Sequence, residues 1–348
     1  LYKRILASGA IAVLCATSAI TASQAAPARA GVSLTGAGSS FDFPFFDKAF
    51  SVYQGSHSVS INYQAIGSGA GIQQFTAKTV DFGATDVPMN PVTELPAAVK
   101  AGGAVLQIPV ALGGVSIAYN VPGVKTGLHL TSTVLAKIFL GTITKWNDPA
   151  IKSLNKKFSL PDTTITVVHR SDGSGTSYIF TDYLSKISDQ WRGLVGTGKL
   201  PNWPTGIGEK GNTGVADFIR STPGTIGYAE LAYVLQTHMH QALLQNRKHQ
   251  YLGPTLKTVA AAAASFPKVT SEKFSIVNSA AKNAYPIAGY SWVLIFKHQA
   301  DSTKGKALVA LMKWTVTTGQ KYAKALQYVP LPVNVQKLGT TLLKTATF

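Results

Sequence analysis

Short β-rich runs alternate with runs of helical spacing along this chain. Ser58–Gln64 (SVSINYQ), Val80–Gly83, Val105–Val110 and Val115–Asn120 predict strands. Thr163–His169 (TTITVVH) is β-branched and continuous enough for a strand buried on both faces. Phe46, Phe50 and Tyr53 recur at i, i+4 and i+7 behind Pro44, which predicts an amphipathic helix; Phe180, Leu184 and Ile187 repeat the spacing after residue 176. Val134–Leu140 and the alanine run Ala260–Ala264 also read as helical. Strand–helix alternation predicts an α/β architecture with mainly parallel sheets. No solenoid repeat and no Pro/Ser linker interrupts it.

The first thirty residues follow another pattern. Lys3 and Arg4 precede an apolar, small-residue run from Ile5 to Ile20, and a polar stretch ends in Ala28-Arg29-Ala30. A basic start, a short apolar middle and a small-x-small exit predict a secretory leader over 1–30, cleaved after Ala30 or, second, after Ala25. Cys15, the sole cysteine of the 348 residues, lies inside it behind Leu14, where a lipidated cysteine would follow a small residue. The expected product is therefore exported and not lipidated. A single cysteine also excludes an internal disulfide framework and any cysteine-based zinc site. No later segment reaches eighteen uninterrupted apolar residues. About 318 remaining residues exceed what one core usually organises, so two domains are expected.

The formal charge is +17, from 32 Lys and Arg against 15 Asp and Glu. Losing the leader removes three bases and no acid, leaving +14. The bases are scattered singly and are mostly lysines, with no Arg-rich arm, so nucleic acid is not an expected partner. Four arginines remain beyond the leader, Arg170, Arg192, Arg220 and Arg247, and scarcity makes each worth attention.

Three Gly/Ser-rich segments each follow a strand-like run and precede a helical one: Thr35–Phe41 (TGAGSSF), Gly67–Gly71 (GSGAG) and Asp172–Ser177 (DGSGTS). A helix start presents unpaired N–H groups and partial positive charge; glycine admits close approach, and Ser or Thr adds a hydroxyl. One such segment is an ordinary capped helix, whereas three converging would cradle a tetrahedral oxyanion. None carries GK[ST], G-x-G-x-x-G or G-x-S-x-G, so nucleotide hydrolysis, dinucleotide binding and a nucleophile elbow find no support.

Arg170 leaves the strand TTITVVH and is separated from Asp172 by one residue. It offers an oxyanion a bidentate grip that the carboxylate could orient, or it forms a plain surface pair. Asp86 ends VDFGATD (80–86). An acid at an anion site fits only a ligand carrying a proton, as phosphate does and sulfate does not; from the residues alone, Asp86 capping its own loop is an equal reading. His238, His240 and His249 read as solvated rather than as a metal site, and the five tryptophans as packing residues. A secreted phosphatase using the same cradle would need a metal pair or a positioned base, and no dense Asp/His constellation supplies one. No catalysis and no cofactor are expected; a receptor for another oxyanion is the third reading.

At these residues the chain resembles the periplasmic phosphate-binding proteins of bacterial phosphate ABC importers. The motifs are SLTGAGSSF (33–41), INYQAIGSGAG (61–71), VDFGATD (80–86), LGTITKWND (140–148), HRSDGSGTS (169–177), GNTGVADFI (211–219) and TPGTIGY (222–228). The resemblance implies a two-lobed α/β periplasmic-binding-protein fold (type II) closing over its ligand. Lobe I would comprise 31–112 plus 288–348, and lobe II 113–287. It implies a periplasmic, monomeric receptor for inorganic phosphate that delivers it to the importer's membrane permease. It further implies that Ser40, Phe41 and Ser68 donate from two helix starts, that Asp86 accepts the ligand proton, and that Arg170 binds charge while Asp172 orients it. Ser174, Gly175 and Thr176 would donate from the third start. Ser40 stands where the family often has Thr, keeping the hydroxyl; Gly69 stands where it often has Ser, losing a secondary donor.

Overall fold

The computed structural model describes residues 31–348; the expected leader and Cys15 lie outside the described residues. In chain order the elements begin with β1 (Val32–Gly38), α1 (Phe43–Gln54), β2 (Val59–Gln64), α2 (Ser68–Thr76), β3 (Phe82–Thr85), α3 (Glu94–Gly102) and β4 (Val105–Asn120). Next come β5 (His129–Leu130), α4 (Ser132–Phe139), α5 (Pro149–Leu154), β6 (Thr166–Arg170), α6 (Gly175–Ile187), α7 (Asp189–Leu194), β7 (Ile207–Glu209), α8 (Gly211–Ser221), β8 (Thr225–Glu230) and α9 (Leu231–Gln236). The last are β9 (His240–Gln241), β10 (Leu243–Gln245), β11 (Tyr251–Leu252), α10 (Leu256–Ala264), β12 (Ala288–Phe296), α11 (Ser302–Val316) and α12 (Val333–Leu343). No helix among the described residues is long and apolar enough to cross a membrane.

The main sheet runs β2-β1-β3-β12-β4-β8-β6-β7, with β9 also on β4. Its two ends are parallel ladders, β2-β1-β3 and β8-β6-β7. The middle is antiparallel, because β12 and β4 run against their neighbours. The expectation of mainly parallel sheets is corrected to this mixed arrangement. A fully buried strand shows the same apolar run whichever way it points, so direction is not written in the pattern.

The runs Val105–Val110 and Val115–Asn120 are one strand of 16 residues. Gly113 and Gly114 lie between the two runs, and neighbours occupy the space at each. A Cβ on Gly113 would lie 2.8 Å from the Phe41 ring, and one on Gly114 would lie 2.9 Å from both Pro254 and Val259. The first half of β4 pairs with β12 and the second half with β8, so this strand joins the two parallel ladders and one apolar cluster runs through both.

Pro109 lies inside β4 and has no N–H for the ladder. There Ser291 and Trp292 of β12 face Ala111 and Pro109, and Val110 is the extra residue of a bulge. The Val110 carbonyl accepts from Gln320 Nε2 at 2.9 Å, so it is not stranded. At the bulge the Ser291 side chain reaches two buried carboxyl groups described below.

Candidate functional site

Four helix starts meet where the two ladders approach each other: α1, α2, α6 and α8. Gly67, with φ +94°, precedes α2, and a Cβ on it would lie 2.1 Å from Asp172 Oδ2. Only glycine permits both that backbone and that approach. Gly69 N–H donates to the Gly173 carbonyl at 2.7 Å, joining the α2 start to the loop before α6. Ser174 caps α6, its hydroxyl accepting from Ser177 N–H at 3.0 Å, which leaves its own hydrogen free to donate.

Arg170 ends β6 at 1% exposure. Its Nε and Nη2 donate to Asp172 Oδ1 and Oδ2 at 2.7 and 2.5 Å, a bidentate pair that leaves other guanidinium hydrogens uncommitted to Asp172. Burial works against the charge on Asp172, but the Arg170 guanidinium and the Gly211 N–H outweigh it and hold the carboxyl below its usual range. The plain surface pair is thereby excluded. His169, one residue earlier, points away and stacks on Trp203 with ring centroids 4.8 Å apart.

Asp86 is 3% exposed, just beyond β3. One oxygen, Oδ1, accepts from the hydroxyls of Ser39 and Ser291; the other, Oδ2, faces Thr176 Oγ1 at 3.5 Å. Burial pushes the carboxyl up to about 6, although both serine hydroxyls, Arg170 and Thr176 favour its charge. Its carboxylate accepts from hydroxyls and from no loop amide, so the capping alternative fails; Asp86 N–H itself donates to Ser68 Oγ at 3.3 Å.

The expected residues come together in two linked networks. Ser68 Oγ accepts from Gly175 N–H at 3.1 Å as well as from Asp86 N–H. Ser40 Oγ accepts from Asn212 N–H and Nδ2 at 3.1 and 3.0 Å, and that Nδ2 also donates to Thr176 Oγ1 at 3.1 Å. Phe41 N–H donates to Ser39 Oγ at 2.9 Å, and its ring is fully buried. The amides of Phe41 and Gly175 therefore already hold hydroxyl partners of a kind that a ligand oxygen can replace.

Sequence reasoning missed Ser39, Asp42, Asn212 and Ser291. Asn212 opens α8 in the stretch GNTGVADFI, a fourth glycine-marked helix start that could have been counted with the other three. Ser39 lies inside the first segment and was readable as a hydroxyl. Ser291 sits in an apolar strand, where a lone serine carries no signal.

Gly175 packs directly on Asp86: a Cβ there would lie 2.6 Å from Asp86 Cβ and 2.7 Å from its backbone nitrogen. Gly175→Ala is expected to force the α6 start off Asp86 at a cost of about 1–3 kcal/mol. Calorimetric titration with phosphate should then show binding weakened roughly ten- to a hundredfold; a wild-type isotherm would contradict this packing.

A family model described as a PBP superfamily domain matches residues 22–317. The phosphate-binding protein PstS of Xylella fastidiosa is 44% identical over 309 residues, 88% of this chain and 83% of that protein. The chain belongs to the PstS family. The PstS protein of Haemophilus influenzae is 42% identical over 306 residues, 87% of this chain and 90% of that protein. The crystal structure of a phosphate-binding protein from Stenotrophomonas maltophilia superposes with TM-score 0.67 at 18% identity, covering 89% of this chain and 94% of that one. The resemblance read from the motifs, and the α/β periplasmic-binding-protein fold it implies, are thus borne out.

Proposed function

We propose that this chain is an extracytoplasmic receptor that captures inorganic phosphate and hands it to the membrane permease of an ABC importer, without catalysis. The observation that carries the reading is Asp86: a buried carboxylate, half saturated by two serine hydroxyls, with Oδ2 turned into a meeting point of helix starts. Such a group repels a bare anion and favours one that brings its own proton.

In this reading phosphate sits against Arg170, which Asp172 orients. The hydroxyls of Ser40, Ser68, Ser174 and Thr176 and the amides of Phe41 and Gly175 donate to its oxygens, and Asp86 accepts its proton. Neutral donors spread the ligand charge over several helix starts, so one arginine suffices as the main formal cation. The lobes are 31–112 with 288–348 and 113–287, moving about the strands that join them so that phosphate enters a water-excluded cleft. The receptor works as a periplasmic monomer, its leader over residues 1–30 removed and no lipid attached.

Calorimetry of residues 31–348 with phosphate, sulfate and a chromogenic phosphate ester tests the proposal. Saturable phosphate binding, no sulfate competition at equal concentration and no release of chromophore are expected. Turnover of the ester would favour an enzyme, and sulfate competition a receptor for another oxyanion.

A further inference from the structure

Behind Asp86 lies a second buried acid, and the hydrogens between the two can be counted. Asp42 precedes α1, is fully buried, and makes no side-chain capping bond. Its Oδ2 is 2.5 Å from Ser291 Oγ, and the same hydroxyl oxygen is 3.0 Å from Asp86 Oδ1. Ser291 has one hydroxyl hydrogen. Between two ionised carboxylates it would serve one and turn a lone pair on the other. A proton on either carboxyl resolves the conflict, because that acid then donates to Ser291 Oγ while Ser291 donates onward.

We propose that Asp42 holds this proton at neutral pH, so that the Asp42–Ser291–Asp86 chain carries a single negative charge, on Asp86, and that loss of the Asp42 proton sets an alkaline limit to phosphate binding. The inference rests on the reading of Asp86 as the acceptor for phosphate.

Asp42 rather than Asp86 keeps the proton because their surroundings differ. Asp86 accepts the Ser39 hydroxyl and feels Arg170, whereas the Ser291 hydroxyl stands between the two acids and by itself favours neither. Asp42 has no cation within salt-bridge distance among the described residues. Burial, and then the charge of Asp86, drive its carboxyl well above the usual range. The titratable groups around it are Tyr63 of β2, whose hydroxyl is 3.2 Å from Asp42 Oδ1, Asp86 beyond β3, Tyr233 of α9, and Tyr328. Tyr328 in turn donates to Glu230 Oε2 at 3.0 Å, and burial raises that carboxyl well above its ordinary value. None of these supplies a positive charge to an ionised Asp42.

Ionising Asp42 puts a second negative charge one hydroxyl away from Asp86, in a medium that screens poorly. By linkage, an anion arriving at Asp86 raises the proton affinity of Asp42. Phosphate binding then takes up a proton in the range where free Asp42 is ionised, and affinity falls by up to about tenfold per pH unit there. Asparagine keeps the shape of the neutral acid and donates to Ser291 at every pH.

The test is phosphate calorimetry in buffers of different ionisation heat, on the alkaline side of phosphate's own second dissociation, where the ligand is a constant dianion. The wild type should take up as much as one proton on binding, and its affinity should decline as pH rises. Asp42→Asn, checked for folding by its thermal melt, should bind phosphate at neutral pH, take up less, and decline less steeply. Equal uptake in the two chains overturns the inference. Should the variant not fold, the wild type decides alone: no proton uptake overturns it, and uptake supports it. Tight binding with identical pH profiles sinks this inference and leaves the phosphate reading standing. Absence of phosphate binding in the wild type at neutral pH sinks both.

Discussion

Arg170→Ala is expected to weaken phosphate binding by about 100- to 1,000-fold, roughly 3–4 kcal/mol. Two losses add. The ligand forfeits its charge-assisted donors in a buried site, where such bonds exceed exposed ones. In addition, Asp172, now bidentate to Arg170 and held below its usual range by it, is left as an unpaired negative charge facing an anion. The second loss has its own signature. Arg170→Ala combined with Asp172→Ala should recover part of the affinity, because the stranded charge is gone. Arg170→Lys should fall between wild type and alanine, since it keeps the charge and loses the planar fork. Calorimetric titrations of the three variants, with thermal melts to confirm folding, check this. An alanine variant with wild-type affinity would remove Arg170 from the site.

Asp86→Asn is expected to collapse discrimination between phosphate and sulfate, by about 100-fold or more. The geometry says which way the amide will turn. Oδ1 accepts from Ser39 and Ser291, so the asparagine carbonyl takes that place and the Nδ2 replaces Oδ2. The acceptor aimed at Thr176 becomes a donor, and a fully deprotonated oxyanion is no longer turned away. The wild type should show the same change with pH. Its Asp86 is raised to about 6, so below that value the carboxyl is protonated, neutral and able to donate; above it, the carboxylate repels sulfate. Sulfate competition should therefore appear below about pH 6 in the wild type and at every pH in the variant. Selectivity indifferent to both would refute the acceptor role.

Much of this site was legible because helix starts leave a local mark. Glycine and hydroxyl residues between a strand and a helix have a reason to be there, and three of the four starts were read from that mark alone. Arg170 stood out because arginine is scarce, and its partner sits two residues away. What escaped detection depends on pairing across the sheet. Ser291 lies 205 positions from Asp86 and meets it because β12 pairs antiparallel with β3, Trp292 opposite Thr85, which sets Ser291 beside the following residue. Asp42 stands one residue past the first segment, and only its contact with Ser291 across the sheet marks it as part of the site. Strand direction was invisible for the same reason: β4 and β12 pair over long separations, and their apolar runs carry no arrow.

The most direct test of the central claim is a crystal structure of residues 31–348 with phosphate bound. It should place the ion between the starts of α1, α2 and α6, with one oxygen on the Arg170 guanidinium, others on Ser40, Ser68 and Thr176, and a protonated oxygen on Asp86 Oδ2. Phosphate bound elsewhere, with Asp86 Oδ2 more than hydrogen-bonding distance from every ligand oxygen, would contradict it.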